Sequence, residues 1–166
     1  MSGFTDIELQ RLATQLGDHL LAGGRRITTA ESCTGGWIGK ALTDAPGSSQ
    51  WFETGYVVYG NAAKTTLLGV LPSELAAHGA VSEQIVRAMA LGALERSGAD
   101  LAVAVSGIAG PDGGSPGKPV GTIWLAWAWR HGKSLRAQTR LKLFKGDRET
   151  VRRKAVHAAL SGALEL

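Results

Sequence analysis

The segment that decides the fold is Thr-Ala-Glu-Ser-Cys-Thr-Gly-Gly at residues 29–36. β-forming residues precede it at 26–28, and apolar residues at helical spacing follow it between residues 37 and 42. This order predicts a strand, a tight turn and the start of a helix. The first N–H groups of a helix lack partners within the helix and lie at the positive end of its dipole, so this turn could hold an anion. Its hydroxyls, thiol and carboxylate could also support acyl chemistry.

Length and composition predict one globular domain over residues 1–166, with 44% apolar and 19% charged residues. The net charge of +4 fits an anionic small-molecule substrate. Half of the basic residues between 136 and 154 fall in a predicted terminal helix, so a solvated helix face is a simpler interpretation than a nucleic-acid site.

The single cysteine, Cys33, excludes an internal disulfide and a cysteine-built zinc site. Without a signal segment or a long apolar run, we expect a cytoplasmic protein with no membrane partner.

Hydrophobic periodicity and turn residues predict helices and strands that alternate along the chain. The predicted helices cover 6–22, 35–44, 62–68, 72–77, 83–97 and 147–164, and the predicted strands cover 25–30, 51–59, 100–105, 121–130 and 134–144. Asn61 and Ser82 are expected to cap the helices that follow them. This order predicts an α/β fold, a three-layer α/β/α sandwich with a mixed, mostly parallel sheet to which a hairpin adds an antiparallel strand.

Ligands of such sheets bind at the carboxyl ends of the parallel strands. Because the first three strands are predicted to be parallel, this rule brings together the loops at 31–36, 59–64 and 106–111. The sequence therefore predicts a site at this edge of the sheet.

Short motifs spread over nearly the whole chain point to one family. They are Thr-Ala-Glu-Ser-Cys-Thr-Gly-Gly (29–36), Gly-Ser-Ser-x-Trp-Phe (47–52), Tyr-x-Asn-x-x-Lys (59–64), His-Gly-Ala-Val-Ser (78–82), Ser-Gly-Ile-Ala-Gly-Pro-Asp-Gly-Gly (106–114), Lys-Pro-Val-Gly-Thr (118–122) and Gly-Asp-Arg (146–148). In this order they closely resemble the CinA C-terminal family, the nicotinamide-nucleotide amidohydrolases or NMN deamidases.

The resemblance implies hydrolysis of the carboxamide of nicotinamide mononucleotide to nicotinate mononucleotide and ammonia, in pyridine nucleotide salvage. It implies a serine and lysine mechanism that needs no metal and no cofactor. It further implies a homodimer whose substrate is a small nucleotide.

Amide hydrolysis needs a nucleophile, a base and a site for the oxyanion. Lys64 is the candidate base, because it falls in the first turn of the predicted helix 62–68, close to the carboxyl ends of the strands. The helix dipole disfavours an ammonium group there by only about 0.3–1 kcal/mol. Burial must therefore supply most of the reduction in its pKa. Without the resemblance, a solvated lysine is the ordinary interpretation.

The nucleophile is either Ser32 or Ser49. A straight strand over 51–59 would separate Ser49 from Lys64 by roughly 30 Å at about 3.3 Å per residue. A right-handed crossover places Ser32 and Lys64 at the same end of the sheet, which favours Ser32. Ser49 could still be the nucleophile if the strand bends sharply, or if a second subunit brings it across an interface. Cys33 is expected to pack as a small apolar residue rather than act as a thiol nucleophile.

Further polar groups are expected at the same edge of the sheet. Tyr59 could relay a proton or hold the substrate ring, and Arg148 could bind a phosphate as a fork. Glu31 is expected to orient or cap its neighbours rather than bind a metal. The remaining candidates for contact with a phosphate, an oxyanion or the rest of the substrate are Thr34, Gly35, Gly36, Ser106 and Gly107.

An alternative function is a non-catalytic nucleotide-binding module that regulates a separate chain. Such a module would bind a nucleotide without turnover. Lys64 favours an enzyme, because a binding module has no need of a lysine at a helix start beside a hydroxyl.

Overall fold

A computed structural model describes residues 4–166. The helices are α1 (Asp6–Ala22), α2 (Trp37–Thr43), α3 (Asn61–Leu68), α4 (Pro72–His78), α5 (Glu83–Ser97) and α6 (Arg148–Leu164), with a short 3-10 turn at Ser48–Gln50. The strands are β1 (Ile27–Glu31), β2 (Phe52–Val57), β3 (Leu101–Gly107), β4 (Thr122–His131) and β5 (Ser134–Leu143). Each helix and strand predicted from the sequence is present, with ends displaced by a few residues.

The strands form one sheet in the order β2-β1-β3-β4-β5. β1 pairs in parallel with β2 and β3, whereas β4 pairs in antiparallel fashion with β3 and β5. Four strands thus point in one direction and only β4 points in the other. The predicted α/β sandwich with a mixed, mostly parallel sheet and an antiparallel hairpin is confirmed.

Helices cover both faces of the sheet, and the alternation of side chains along β3 explains how. Val103 and Val105 pack with α1, α2 and α6, whereas Ala102 and Ala104 pack with α3 and α5. All four side chains are fully buried. Since burying one valine side chain contributes about 1.5–3 kcal/mol, the centre of the sheet is a stable platform for the loops at its edge.

The start of α3 differs from the prediction. Asn61 is the first residue of this helix rather than its cap, and the capping position is taken by Gly60 in an extended conformation without a side-chain hydrogen bond. Ser82 does cap α5, where its hydroxyl accepts a hydrogen bond from the Ile85 N–H group at 3.3 Å. Because Asn61 is not used as a cap, its side chain is available to line a cavity beside the helix.

Backbone hydrogen bonds beyond the strand ends hold the three predicted loops together. The Ser32 N–H group donates to the Val105 carbonyl at 3.0 Å, and the Val58 N–H group donates to the Glu31 carbonyl at 2.8 Å. The chain therefore leaves β1, β2 and β3 at one edge of the sheet, as the topology predicts. Within residues 4–166, the helices lack the length and apolar character that a membrane crossing requires.

Candidate active site

A cavity of about 210 Å³ opens at the carboxyl ends of β1, β2 and β3. Three chain segments expected at this edge contribute to it, together with α6 and the segment before α5. The lining residues are Ser32, Cys33, Tyr59, Asn61, Lys64, Ala80, Val81, Ser106, Gly107, Ala109 and Arg148.

The side chains of Ser32 and Lys64 meet in this cavity. Lys64 Nζ lies 3.2 Å from Ser32 Oγ, and it donates hydrogen bonds to the carbonyls of Val58 at 2.9 Å and Tyr59 at 3.2 Å. A neutral amine has two N–H groups and one lone pair. With both N–H groups directed to the two carbonyls, the lone pair faces the hydroxyl of Ser32 and can accept its proton.

The surroundings of Lys64 favour its neutral form. Only 1% of the residue is exposed, and burial lowers the pKa of its amine below the ordinary value of 10.5. Its hydrogen-bond partners within residues 4–166 are one hydroxyl and two carbonyls, none of which compensates a positive charge as a carboxylate would. The first turn of α3 also contains no acidic residue, so its dipole acts in the same direction.

The turn that carries Ser32 is anchored from within by the buried carboxylate of Glu31. Glu31 Oε1 accepts hydrogen bonds from the Thr34 hydroxyl at 2.6 Å and from the Ile38 N–H group at 2.8 Å, and Oε2 accepts one from the Gly39 N–H group at 3.0 Å. Burial raises the pKa of Glu31, and these hydrogen bonds oppose that rise. Glu31 therefore orients its neighbours and caps α2, as expected from the sequence.

The structure does not bring Thr34, Gly35 and Gly36 to the cavity. They line a separate shallow depression together with Trp37, Lys40 and Arg152. The N–H groups of the first turn of α2, which an anion would need, already have partners: those of Ile38 and Gly39 donate to Glu31, and that of Trp37 donates to the Thr34 carbonyl. Gly35 and Gly36 have φ angles of 61° and 98°, so the glycines serve the left-handed turn instead of a close approach by a ligand.

Tyr59 and Arg148 lie together at the mouth of the cavity. The Arg148 guanidinium donates to the Tyr59 hydroxyl at 3.2 Å and to the Gly110 carbonyl at 2.9 Å. The Tyr59 side chain is largely exposed, and its carbonyl, not its hydroxyl, contacts Lys64. Arg148 therefore offers a positive charge close to the cavity, where a phosphate could bind.

Ser106 and Gly107 form the wall at the end of β3. The buried Ser106 hydroxyl donates to the Ala80 carbonyl at 2.7 Å, which ties β3 to the segment before α5. A Cβ atom on Gly107 would lie 2.3 Å from Ile123 Cδ1 and 2.7 Å from the Thr122 carbonyl oxygen, so β4 leaves no room for a side chain. Gly107 therefore lines the cavity without a side chain.

Cys33 and Ser49 are both poor candidates for the nucleophile, Cys33 because of its ionisation and Ser49 because of its position. Burial raises the pKa of the Cys33 thiol to about 12, so the reactive thiolate is not formed near neutral pH. Ser49 lies in the 3-10 turn before β2, at the opposite end of that strand from Lys64, and does not line the cavity. Within residues 4–166, no three His, Cys, Asp or Glu side chains are grouped closely enough to hold a metal ion.

The structure gives two residues in or near the cavity a role other than the one that the sequence predicts. Asn61, expected to be a cap, lines the cavity. Arg152, assigned to a solvated helix face, donates from Nε to the Cys33 carbonyl at 3.0 Å and from Nη2 to the Thr34 carbonyl at 2.9 Å. The available signal was its spacing of four residues from Arg148, which places both arginines on one face of α6.

Comparisons with known proteins agree with this architecture. A model of the CinA C-terminal domain matches residues 9–166. The chain is 55% identical over 156 residues to the nicotinamide-nucleotide amidohydrolase PncC of Escherichia coli strain K12, a match that covers 94% of this chain and 93% of the relative. It is 57% identical over 155 residues to the protein of the same name from Pseudomonas putida, with 93% and 94% covered.

A solved structure extends the agreement to three dimensions. The competence/damage inducible protein CihA from Agrobacterium tumefaciens is 43% identical, with a TM-score of 0.89 and 100% of each chain covered. Sequence motifs, family model and fold coincide along nearly the whole length, and the protein belongs to the CinA C-terminal domain family.

Proposed function

We propose that this protein hydrolyses the carboxamide of nicotinamide mononucleotide to nicotinate mononucleotide and ammonia, as an amidase of pyridine nucleotide salvage. The names of the E. coli and P. putida relatives support this substrate. The observation that carries the proposal is the distance of 3.2 Å between Lys64 Nζ and Ser32 Oγ inside a polar cavity. A buried lysine with only neutral hydrogen-bond partners is suited to accept the proton of a serine nucleophile.

In the first half of the reaction, Ser32 Oγ attacks the carboxamide carbon and its proton passes to Lys64 Nζ. The new C–O bond forms as the carbonyl electrons move to oxygen, which gives a tetrahedral oxyanion. When the carbonyl reforms, the C–N bond breaks and the Lys64 ammonium returns its proton to the leaving nitrogen. Ammonia departs and leaves an ester between Ser32 and the nicotinoyl group.

In the second half, water replaces ammonia at the same carbon. Lys64 accepts a proton from water as its oxygen attacks the ester, and then returns that proton to Ser32 Oγ as the ester C–O bond breaks. One water is consumed, and the products are a carboxylic acid and ammonia. The carbonyls of Val58 and Tyr59 keep the amine oriented through both steps.

Substrate binding is assigned to the polar groups around this pair. Arg148 binds the phosphate with two N–H groups, and Tyr59 holds the ring beside it. Ser106 and Gly107 form the wall against which the nicotinamide group of the substrate lies. Thr34, Gly35 and Gly36 are left out of this assignment, because Glu31 occupies the helix start beside them.

The test is ammonia release from nicotinamide mononucleotide by the wild type and by Ser32→Ala and Lys64→Met. We expect release by the wild type and loss in both variants. Ser49→Ala is the matched control, because this serine is outside the cavity, and it should retain turnover. Normal turnover in Lys64→Met would contradict the mechanism. Nucleotide binding without any turnover by the wild type would instead support a regulatory binding module.

We further infer a single catalytic domain that acts in the cytoplasm as a homodimer. A cytoplasmic location follows from the proposed substrate, since a phosphorylated nucleotide does not cross a bilayer unaided. The exposed apolar side chains of Val57 at the end of β2, and of Leu141 and Leu143 on β5, offer surfaces for a second copy. Sedimentation analysis that gives twice the mass of the chain supports the dimer, and a monomer at all concentrations contradicts it.

A further inference from the structure

The turn that carries Ser32 is held from outside by a single side chain of α6. Arg152 Nε donates to the carbonyl of Cys33 at 3.0 Å, and Arg152 Nη2 donates to the carbonyl of Thr34 at 2.9 Å. The guanidinium also lies over the ring of Trp37, with 5.4 Å between Arg152 Cζ and the ring centroid. It therefore joins the last helix of the chain to the residues that directly follow Ser32.

These contacts fix the backbone of the turn at consecutive positions. The carbonyl of Ser32 accepts from the Gly35 N–H group at 3.0 Å within the turn itself. The next two carbonyls, of Cys33 and Thr34, are bound by Arg152. Because each peptide unit is planar, holding its carbonyl also sets the direction of the following N–H group. Arg152 supplies a hydrogen bond to the Cys33 carbonyl and shares the Thr34 carbonyl with the Trp37 N–H group, which donates to it at 3.2 Å.

We infer that Arg152 is a positioning residue that holds Ser32 in line with the lone pair of Lys64. The inference rests on the proposed function, in which Ser32 is the nucleophile. Arg152 does not line the cavity and acts only through the backbone of the turn. A planar fork with fixed donors suits two neighbouring carbonyls, whereas a lysine ammonium in its place offers a point charge without that geometry.

The neighbouring arginine is a matched control. Arg153 also lies over Trp37, with 4.7 Å between Arg153 Cζ and the ring centroid, and it pairs with Asp6 and Glu149. Its hydrogen bonds within residues 4–166 go to these carboxylates and not to the turn. Arg153→Ala therefore removes an arginine, a charge and a stacking contact from α6 while leaving the turn intact.

The kinetic test compares Arg152→Ala, Arg152→Lys and Arg153→Ala with the wild type. A displacement of the nucleophile by about 1 Å costs about 100-fold in rate, so we expect kcat of Arg152→Ala to fall by about that factor. KM should change little, because the substrate does not touch Arg152. Arg152→Lys should be intermediate and Arg153→Ala close to the wild type. Added guanidinium ion should restore part of the activity of Arg152→Ala by filling the vacated position.

A second readout does not depend on the substrate. A small sulfonyl fluoride should modify Ser32 of the wild type, with the rate followed by mass spectrometry of the intact chain and of its peptides. We expect this rate to fall in Arg152→Ala, to recover with guanidinium ion and to stay unchanged in Arg153→Ala. If the wild type is modified at Ser32 but releases no ammonia from nicotinamide mononucleotide, the proposed function fails while the positioning role is still judged by this rate.

The inference is overturned if Ser32 of Arg152→Ala reacts as fast as Ser32 of Arg153→Ala. It is also overturned if guanidinium ion restores nothing and Arg152→Lys matches the wild type in both assays, because Arg152 then only packs α6 against Trp37. The Arg152→Lys variant keeps the test open if Arg152→Ala does not fold.

Discussion

Helices α2 and α3 both begin at the carboxyl edge of the sheet, yet their first turns are used in opposite ways. The N–H groups of Ile38 and Gly39 at the start of α2 donate to the buried carboxylate of Glu31. The first turn of α3 contains no acidic residue and instead carries the buried amine of Lys64. A negative charge at a helix start stabilises the helix, whereas a lysine there is driven toward its neutral form. One helix start thus anchors the nucleophile turn, and the other supplies a base.

The largest expected effect comes from breaking the chemistry at the start of α3. Lys64→Met removes the proton acceptor of Ser32, and a general base contributes about 10²–10⁴-fold, so ammonia release should fall by that factor. Lys40→Met, on α2 and exposed, is the matched control and should retain turnover. Equal losses in the two variants would show that the position of Lys64 has no special role.

The structural role of the start of α2 is tested by Glu31→Gln. The amide keeps the shape of the side chain but turns one acceptor into a donor, so the N–H group of Gly39 is left without a partner. We expect the free energy of unfolding, measured with urea, to fall by about 1–3 kcal/mol. Glu149→Gln in the exposed first turn of α6 should cost less, about 0.3–1 kcal/mol. A smaller loss for Glu31→Gln than for Glu149→Gln would contradict the anchoring role.

The lowered pKa of Lys64, at the start of α3, should make the stability of the protein depend on pH. Its pKa is lowered by burial in the folded chain and returns to about the ordinary 10.5 on unfolding. Between these values the unfolded chain binds a proton that the folded chain does not, so the free energy of unfolding rises with pH in this range and falls as pH drops through the lowered pKa. Turnover should also rise as the pH increases through the lowered pKa of Lys64, because the reaction requires the neutral amine.

Matched variants test whether the rise in the free energy of unfolding with pH comes from Lys64. Lys64→Met should lose the rise in stability, whereas Lys40→Met should keep it. A wild type whose stability and turnover are both flat up to pH 10.5 would show that the pKa of Lys64 is not lowered.

The smallest expected effect concerns the cap of α3. Asn61 makes no capping hydrogen bond, so Asn61→Ala should change the free energy of unfolding by less than about 0.5 kcal/mol. Ser82 caps α5, and Ser82→Ala should cost about 0.5–2 kcal/mol. Thermal unfolding of both variants measures the difference, and a larger loss for Asn61→Ala would contradict the geometry of α3.

The sequence predicts the fold well because local patterns decide it. Apolar residues at helical spacing define α1, a continuous apolar run defines β3, and the crossover rule places Ser32 near Lys64. Each of these inferences depends on residues close in sequence or on the handedness of a connection. Neither Val58 nor Tyr59 could be identified as a carbonyl partner of Lys64, because backbone acceptors carry no sequence signal.

Long-range contacts account for most of what the sequence does not predict. Arg152 binds Thr34 across 118 positions of the chain, and no periodicity reports such a pair. The segment of Ala80 and Val81 enters the cavity because Ser106 holds it there. The sequence predicts that Glu31 orients its neighbours, but not that it binds the N–H groups of Ile38 and Gly39, which the sequence offers to an anion.

In the proposed mechanism Ser32, activated by Lys64, is the group that attacks the substrate. Rapid quenching of the wild type with nicotinamide mononucleotide, followed by mass spectrometry of its peptides, tests this most directly. We expect a nicotinoyl mononucleotide ester on the peptide that contains Ser32, and no such ester in Ser32→Ala. An adduct on Ser49, on Cys33 or on no residue while ammonia is released would contradict it.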